Sequence, residues 1–287
     1  MRVTLRRIAL CTSRLTHDHD PEAPQVAAEL SRRGHDAVVA PWDSERDWGS
    51  FDLVVVRSTW DYFVRLGEFL EWVSHVASVS RIINSPSVIR WNAHKGYLAE
   101  LGAAGIPVLP SVTIAHGAPD GVQRMLASGW QDVVIKPAVD GGARLALRAQ
   151  AGSEDARGHL EALVAQGDTI VQPYIPSVEQ GETSLFFFGG RFSHAVRKVP
   201  KPGDYRVQAL HGGTEEVHEP SRAEVVIAQA AMAGAPGVLA YARADFLEVE
   251  GRPTLMELEL IEPDLFLRMA PGSLERFADV VEDALDS

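Results

Sequence analysis

Acidic side chains at alternate positions lie near the C-terminal end of the chain. Glu257 and Glu259 are two residues apart in one apolar run, and Asp245 lies in the apolar run before it. Side chains two apart in a β-strand point to the same face, so a hairpin through 250–252 would bring the three carboxylates together. Carboxylate oxygens suit a hard cation, most simply Mg²⁺ held with phosphate. The alternative is a solvated face of the hairpin.

Two lysines have neighbours that suit phosphate binding. Lys136 ends an apolar strand and precedes a turn that contains Gly141 and Gly142. A lysine in this position can hold phosphate by charge while the backbone of the glycine-rich loop closes over it. Lys95 lies one turn into a predicted helix. The alternative for each lysine is an ordinary place on the surface.

The segment 172–175 lies at the end of another predicted strand. Gln172, Tyr174 and Ile175 could present backbone groups to the edge of a purine and a flat apolar wall to its face. This segment therefore indicates a binding site for a base, although the signal is weak when it is considered alone.

Arginines and glycines follow in the next part of the chain. Arg197 and Lys198 end a predicted strand and Arg206 follows, and these three cations could meet a carboxylate and a phosphoryl group in transfer. Gly212 and Gly213 form a small-residue loop that a ligand can approach closely. Pairing of the arginines with surface acids is the alternative.

The elements that must position these residues are strands and helices in alternation. The pattern of the first 90 residues favours an open α/β sheet. No glycine-rich turn follows the first strand, and this argues against the hypothesis of a dinucleotide-dependent dehydrogenase. We predict strands at 7–12, 35–40, 53–56, 133–136, 169–172, 183–188, 191–198, 242–248 and 253–260, and helices at 22–33, 66–78, 92–104, 221–233 and 274–285.

Composition restricts the class of protein. The 287 residues carry 27 basic and 39 acidic side chains, a net charge of −12, which argues against a general nucleic-acid partner. The single cysteine fits a reducing compartment, and no apolar run is long enough for a membrane span. We expect a cytoplasmic protein that acts on a small molecule, without nucleic acid or membrane partners.

The order of these motifs resembles the ATP-grasp superfamily, in particular its glutathione-synthetase-like and RimK-like branch. The resemblance spans about 85–265. It implies an α/β fold with three units: an N-terminal open parallel α/β domain at 1–90, a central α+β subdomain at 91–172, and a C-terminal α+β subdomain at 173–287 that clasps ATP with the central one. We also expect a homo-oligomer, most simply a dimer.

The resemblance also implies a role for each motif residue. The lysines would hold the α- and β-phosphates of ATP, the two glycines would cover them, and either Glu179 or Glu182 would bind ribose. The remaining nucleotide contacts would come from the adenine hinge at Gln172, Tyr174 and Ile175.

The reacting groups are implied in the same way. Two Mg²⁺ ions would be held by Asp245, Glu257 and Glu259, although the usual pattern ends Glu-x-Asn and here ends in a second glutamate. Arg197 would stabilise the phosphoryl group. The acyl phosphate and the substrate would be faced by Arg206, Gly212 and Gly213.

The activity implied is an ATP-dependent carboxylate–amine ligase that forms a C–N bond through an acyl phosphate. The stretches 57–62 and 262–266 are similar to O-ureido-serine cyclo-ligases, which implies closure of O-ureido-D-serine to D-cycloserine. The alternatives are an intermolecular ligase that joins an amino acid to a peptide or small amine, and an ATP-binding scaffold without activity. Arg57 could bind the substrate carboxylate and Trp60 could exclude water. Otherwise Arg57 pairs with an acid and Trp60 packs in the core.

Overall fold

The N-terminal part of the chain is built on a four-stranded parallel sheet. The computed structural model describes residues 5–15 and 20–286. The strand order is β2-β1-β3-β4, and all neighbours pair in parallel, as the alternation of strands and helices predicts. The strands are β1 (Arg7–Thr12), β2 (Asp36–Pro41), β3 (Leu53–Ser58) and β4 (Arg81–Ile83).

Helices cover both faces of this sheet. All of β3 is buried, which explains its continuous run of β-branched residues. One face packs against α1 (Glu22–Arg32) and the C-terminal helix α8 (Ser273–Asp286), and the other packs against α2 (Leu66–Val79). The carboxyl ends of the strands are left free to position functional side chains.

The central sheet has four antiparallel strands in the order β5-β8-β6-β7. Two helices cover one of its faces with an apolar core. The elements are β5 (Val112–Ile114), α5 (Gly121–Ala127), β6 (Asp132–Pro137), β7 (Leu147–Gln150), α6 (Glu154–Val164) and β8 (Thr169–Pro173).

The third sheet is antiparallel, with the order β11-β10-β9-β12-β13. One face packs on three helices, two of which precede the central sheet in the chain. The elements are α3 (Pro86–Asn92), α4 (Tyr97–Ala103), β9 (Glu182–Phe188), β10 (Arg191–Val199), β11 (Thr214–Val217), α7 (Arg222–Ala233), β12 (Tyr241–Val249) and β13 (Arg252–Glu259).

The prediction of a single helix at 92–104 is wrong, because α3 ends at Asn92 and a separate helix, α4, begins at Tyr97. Tertiary contacts hold the break between them: the Asn92 side chain donates to Leu258 O at 2.6 Å, and Lys95 N donates to Ala138 O at 2.8 Å. The predicted domain limits at 90 and 172 stay a prediction. Within the residues described, no helix has the length and apolar character needed to cross a membrane.

Candidate active site

A cavity of about 820 Å³ is bounded by residues of the central and third sheets, by the segment that follows β3, and by other loops. The described residues that line it include five cationic side chains: Lys95, Lys136, Lys198, Arg206 and Arg243. Eight acidic side chains line it as well: Asp140, Glu182, Glu215, Asp245, Glu257, Glu259, Glu262 and Asp264. This size and this mixture of charges suit a polar, charged ligand.

The two predicted phosphate-binding lysines both reach the cavity. Lys95 Nζ lies 2.9 Å from Glu257 Oε1 and donates to Asp140 O at 2.6 Å. Burial disfavours the charge of Lys95, but Glu257 keeps its pKa above the usual value. Lys136 is half-buried at the end of β6, and its pKa is lowered by burial and by repulsion from Lys95, although Glu257 opposes this.

The carboxylates predicted to share a face lie on the β12–β13 hairpin. Asp245 is paired across the strands with Glu257, and Arg243 with Glu259. Arg243 Nη2 lies 2.9 Å from Asp245 Oδ2, and the same group pairs with Glu259. Because Arg243 is two residues from Asp245 in the strand, it points to the same face and neutralises part of the acidic charge.

The carboxylates of Asp245, Glu257 and Glu259 are ligands of the kind that Mg²⁺ prefers, but in this structure they are not gathered around one point. Among the described residues no three acidic, histidine or cysteine side chains are grouped so as to hold a metal ion, since cations occupy the carboxylates instead. Burial, only partly offset by Arg243, raises the pKa of Glu259 to about 7. The lining acids exceed the lining cations by three, 8 − 5. ATP brings about four more negative charges, so a divalent cation would favour its entry.

The predicted adenine hinge lies along one wall of the cavity. Gln172, Tyr174 and Ile175 all line it at the end of β8. The guanidinium of Arg148 lies 3.3 Å from the centre of the Tyr174 ring, which makes a rigid flat surface there. Glu179 accepts a hydrogen bond from the Tyr174 hydroxyl at 2.8 Å but does not line the cavity.

The glycine loop contacts two other loops around the cavity. Gly141 and Gly142 line the cavity, and a side chain placed at Gly141 would lie 3.3 Å from the Phe63 ring. The Tyr205 hydroxyl donates to Ala146 O at 3.0 Å. The Arg144 guanidinium in the same loop lies 5.1 Å from the centre of the Phe63 ring, so Phe63 and Tyr205 both contact the loop over the cavity.

The structure does not bring Arg197 to the cavity. Adjacent residues of a strand point to opposite faces, and here Lys198 takes the cavity side of β10. Lys198 pairs with Glu182 and lies 3.6 Å from Asp245. The aliphatic part of Arg197 packs beside Gly181 instead. The arrangement favours Lys198 for the phosphate contact that the sequence analysis assigned to Arg197.

The predicted substrate loop reaches the cavity only in part. Arg206 lines it, with its guanidinium 2.8 Å from Asp204. Gly212 and Gly213 are not among the lining residues. A side chain at Gly213 would lie 2.0 Å from Val207 O, so close packing of the loop itself requires glycine there. Of the two ribose candidates, Glu182 lines the cavity, close to Asp245.

Arg57 has the structural role that the sequence analysis left as the alternative. It is 1% exposed, donates to Pro263 O at 3.0 Å, and lies 3.5 Å from Glu22. Trp60 lines the cavity, and its indole N–H donates to Glu262 O at 2.8 Å. Trp60 therefore borders the ligand space, and Arg57 and Trp60 both hold the segment 262–263 through its backbone carbonyl groups.

Arg243 and Glu262 line the cavity beside the predicted residues, and the sequence analysis assigned a role to neither. Arg243 could have been found from its place two residues before Asp245, which puts both on one face of β12. The sequence analysis named Lys198 beside Arg197, and only the register of β10 with β9 shows which of the two faces the cavity. Glu262 lies in an irregular segment, where periodicity gives no signal.

Comparisons with known proteins show the family to which the chain belongs. Residues 8–84 match the family described as D-cycloserine synthetase DcsG, N-terminal domain, and residues 104–234 match the prokaryotic glutathione synthetase ATP-grasp domain. The chain is 33% identical to the cycloserine biosynthesis protein DcsG of Streptomyces lavendulae, over 97% of this chain and 98% of that protein. The chain is an ATP-grasp ligase of the DcsG family.

Solved structures support this assignment at the level of the fold. The crystal structure of D-cycloserine synthetase DcsG matches with a TM-score of 0.87 and 30% identity, over 97% of this chain and 99% of that one. A D-alanine–D-alanine ligase from Bacillus anthracis matches with a TM-score of 0.70 over 99% and 97% of the chains. At 14% identity the latter shows the shared ATP-grasp fold alone.

Proposed function

We propose that this DcsG-family ligase closes O-ureido-D-serine to D-cycloserine through an acyl phosphate, with release of ADP and phosphate. The observation that carries the ligase chemistry is the charged wall of the cavity, where Lys95 meets Glu257 and Arg243 meets Asp245 and Glu259. Similarity to DcsG along nearly the whole chain supports the choice of substrate.

In this proposal, the cations that line the cavity would bind phosphates and stabilise the charge that develops during transfer. Lys95, Lys136 and Lys198 approach the cavity from different elements, so they can surround a triphosphate rather than contact one oxygen. Arg243 presents a planar fork that suits phosphoryl oxygens. Magnesium, held by Asp245, Glu257 and Glu259, would supply further charge neutralisation. The hinge at 172–175 would bind adenine.

Ring closure places the nucleophile in the same molecule as the activated carboxyl group. Attack by the nitrogen bonded to oxygen forms the C–N bond and releases phosphate, and the nitrogen loses its proton. Removal of the carbamoyl group as carbon dioxide and ammonia consumes one water. Tethering raises the effective concentration of a nucleophile to roughly 10⁵ M or more when it is well oriented. A weak nucleophile can then compete with hydrolysis.

Trapping with hydroxylamine tests the acyl-phosphate step. The enzyme is incubated with ATP, Mg²⁺ and O-ureido-D-serine, with hydroxylamine in excess, and the hydroxamate is measured together with ADP. We expect hydroxamate that depends on both ATP and substrate. Release of ADP without hydroxamate or ring product would contradict the proposed activation of the carboxyl group.

An intermolecular ligase is the second candidate, since the cavity is large enough for more than a nucleotide and could admit a separate amine. Addition of single amines to the same reaction distinguishes it. Amide products that appear only with an added amine would favour this candidate over ring closure.

A further inference from the structure

Most acidic side chains that line the cavity already have a partner. Seven of the eight acids have a cationic partner, and the partners are Arg144, Lys198, Lys95, Arg243 for two acids and Arg268 for two acids. Asp264 accepts a hydrogen bond from Phe266 N at 3.1 Å. Within the described part of the chain, the carboxyl group of Glu262 has neither an ion pair nor a hydrogen bond. A half-buried acid without a partner in a ligand cavity indicates a contact made by the ligand.

Glu262 is held in a defined place beside the reacting groups. Its backbone carbonyl accepts the Trp60 indole N–H at 2.8 Å, which fixes the segment against the N-terminal sheet. Glu262 lines the cavity together with Lys95 and Glu259, which are proposed to contact the phosphates and the metal. It also influences Tyr62, which lines the same cavity. Trp60 and Tyr62 thus give this end of the cavity aromatic surfaces.

The surroundings of Glu262 favour an uncharged carboxyl group. Burial and repulsion from Glu259 hold its pKa well above the usual range. A neutral carboxyl group presents an O–H donor beside a carbonyl acceptor. A ureido group is flat and presents a carbonyl oxygen beside an N–H. The two edges can form a pair of hydrogen bonds, and the aromatic side chains can pack against the plane of the ureido group.

We propose that Glu262 recognises the ureido group of the substrate, donating to its carbonyl oxygen and accepting from its N–H. This assignment rests on the proposed function, because it takes O-ureido-D-serine as the substrate. It makes Glu262 a specificity residue that orients the nitrogen for attack, close to the carboxyl group that becomes phosphorylated.

A comparison of two substrates tests this role. The kcat/KM is measured with O-ureido-D-serine and with O-amino-D-serine, which lacks the carbamoyl group, for the wild type and for Glu262→Leu and Glu262→Gln. We expect Glu262→Leu to lose roughly 100-fold with O-ureido-D-serine, as the loss of two hydrogen bonds implies, and less than about 3-fold with O-amino-D-serine. Glu262→Gln retains a donor and an acceptor and should stay within about 5-fold on both substrates.

The controls separate this role from folding and from the proposed function. Glu275→Leu makes the same change at an exposed position in the first turn of α8 and should leave both rates unchanged. Equal losses of Glu262→Leu on both substrates, or a Glu262→Gln variant as impaired as Glu262→Leu, would overturn the recognition role alone. A wild type that closes neither substrate would overturn the proposed function, and this role with it.

Discussion

Lys198 and Arg197 are neighbours on β10 whose side chains point to opposite faces. The cavity face belongs to Lys198, which contacts two of the lining acids. We expect Lys198→Met to lower kcat/KM for ATP by about 100-fold or more, since a positive charge near the phosphates is lost. Arg197→Met should change it less than about 3-fold. Steady-state ADP release for both variants provides the check.

The thermal stability of each variant is measured as a control, because Lys198→Met leaves buried acidic side chains without their cationic partner and could destabilise the fold. Lys198→Arg, which keeps the charge, should recover part of the activity. Our assignment fails if Arg197→Met is the more damaging change in a folded protein.

Substitution of Glu257 tests the proposed metal site. It lies opposite Asp245 and beside Lys95. We expect Glu257→Gln to reduce kcat by about 100-fold or more at saturating Mg²⁺ while the circular dichroism spectrum is retained, since the carboxylate would act on the metal and phosphates. Glu250→Gln in the exposed turn of the same hairpin is the matched control. Wild-type turnover in Glu257→Gln would remove this residue from the metal site.

The sequence predicts which residue types meet at the site but not every direction in which they point. The alternation of Glu257 and Glu259 suffices to place both on one face, because a regular strand has a period of two. The same rule leaves a choice between Arg197 and Lys198, which only pairing with β9 resolves. The role of Arg57 is ambiguous from the sequence for another reason, since its burial depends on a segment more than 200 residues away in the chain.

At the scale of elements, the glycine loop and the loop around Tyr205 are joined by one side-chain hydrogen bond, from the Tyr205 hydroxyl to Ala146 O. We expect Tyr205→Phe to raise the KM for ATP about 3- to 5-fold with kcat nearly unchanged, because one hydrogen bond that holds the closed loop is lost. The ring of Tyr205 still packs against Tyr174 in this variant. A fall in kcat at constant KM would show that the hydroxyl acts in the chemical step instead.

His194 on β10 gives the protein a pH-dependent stability. Its ring stacks on Phe186 and its Nε2 lies 2.9 Å from Leu265 O, and burial lowers its pKa to about 4. The unfolded chain binds a proton below about pH 6.5, whereas the folded chain resists it. Stability is therefore full above pH 6.5 and falls as the pH drops from 6.5 towards 4, by about 3 kcal/mol at most.

Urea unfolding at several pH values checks this dependence. His194→Gln, which can still donate to Leu265 O, should show a shallower loss of unfolding free energy between pH 6.5 and 4. Parallel curves for wild type and variant would mean that His194 does not carry the effect.

Elements with strong local patterns agree with their sequence-based predictions, and those set by tertiary contacts do not. β3 and the helix α8 follow directly from their apolar residues. The short strands β4 and β5, of three residues each, are too brief to give a periodic signal and form because neighbouring strands supply their partners. The break between α3 and α4 has the same origin.

At the scale of the whole molecule, the cavity exists only where the three sheets meet. The segment that follows β3 contributes Trp60 and Tyr62, the central sheet contributes Lys136, and the third sheet contributes Asp245 and Glu257. The resemblance to the ATP-grasp superfamily implies three units, and the structure contains three separate sheets. How they assemble follows from contacts between distant segments, such as α8 packing on the N-terminal sheet.

The identity of the product tests the central claim most directly. The enzyme is incubated with ATP, Mg²⁺ and O-ureido-D-serine alone, with ADP followed over time and products identified by mass spectrometry. The proposed function predicts D-cycloserine in proportion to ADP, without any second amine, because the nucleophile is part of the substrate. ADP that appears only after a second amine is added, together with a linear amide, would contradict ring closure and favour the intermolecular ligase.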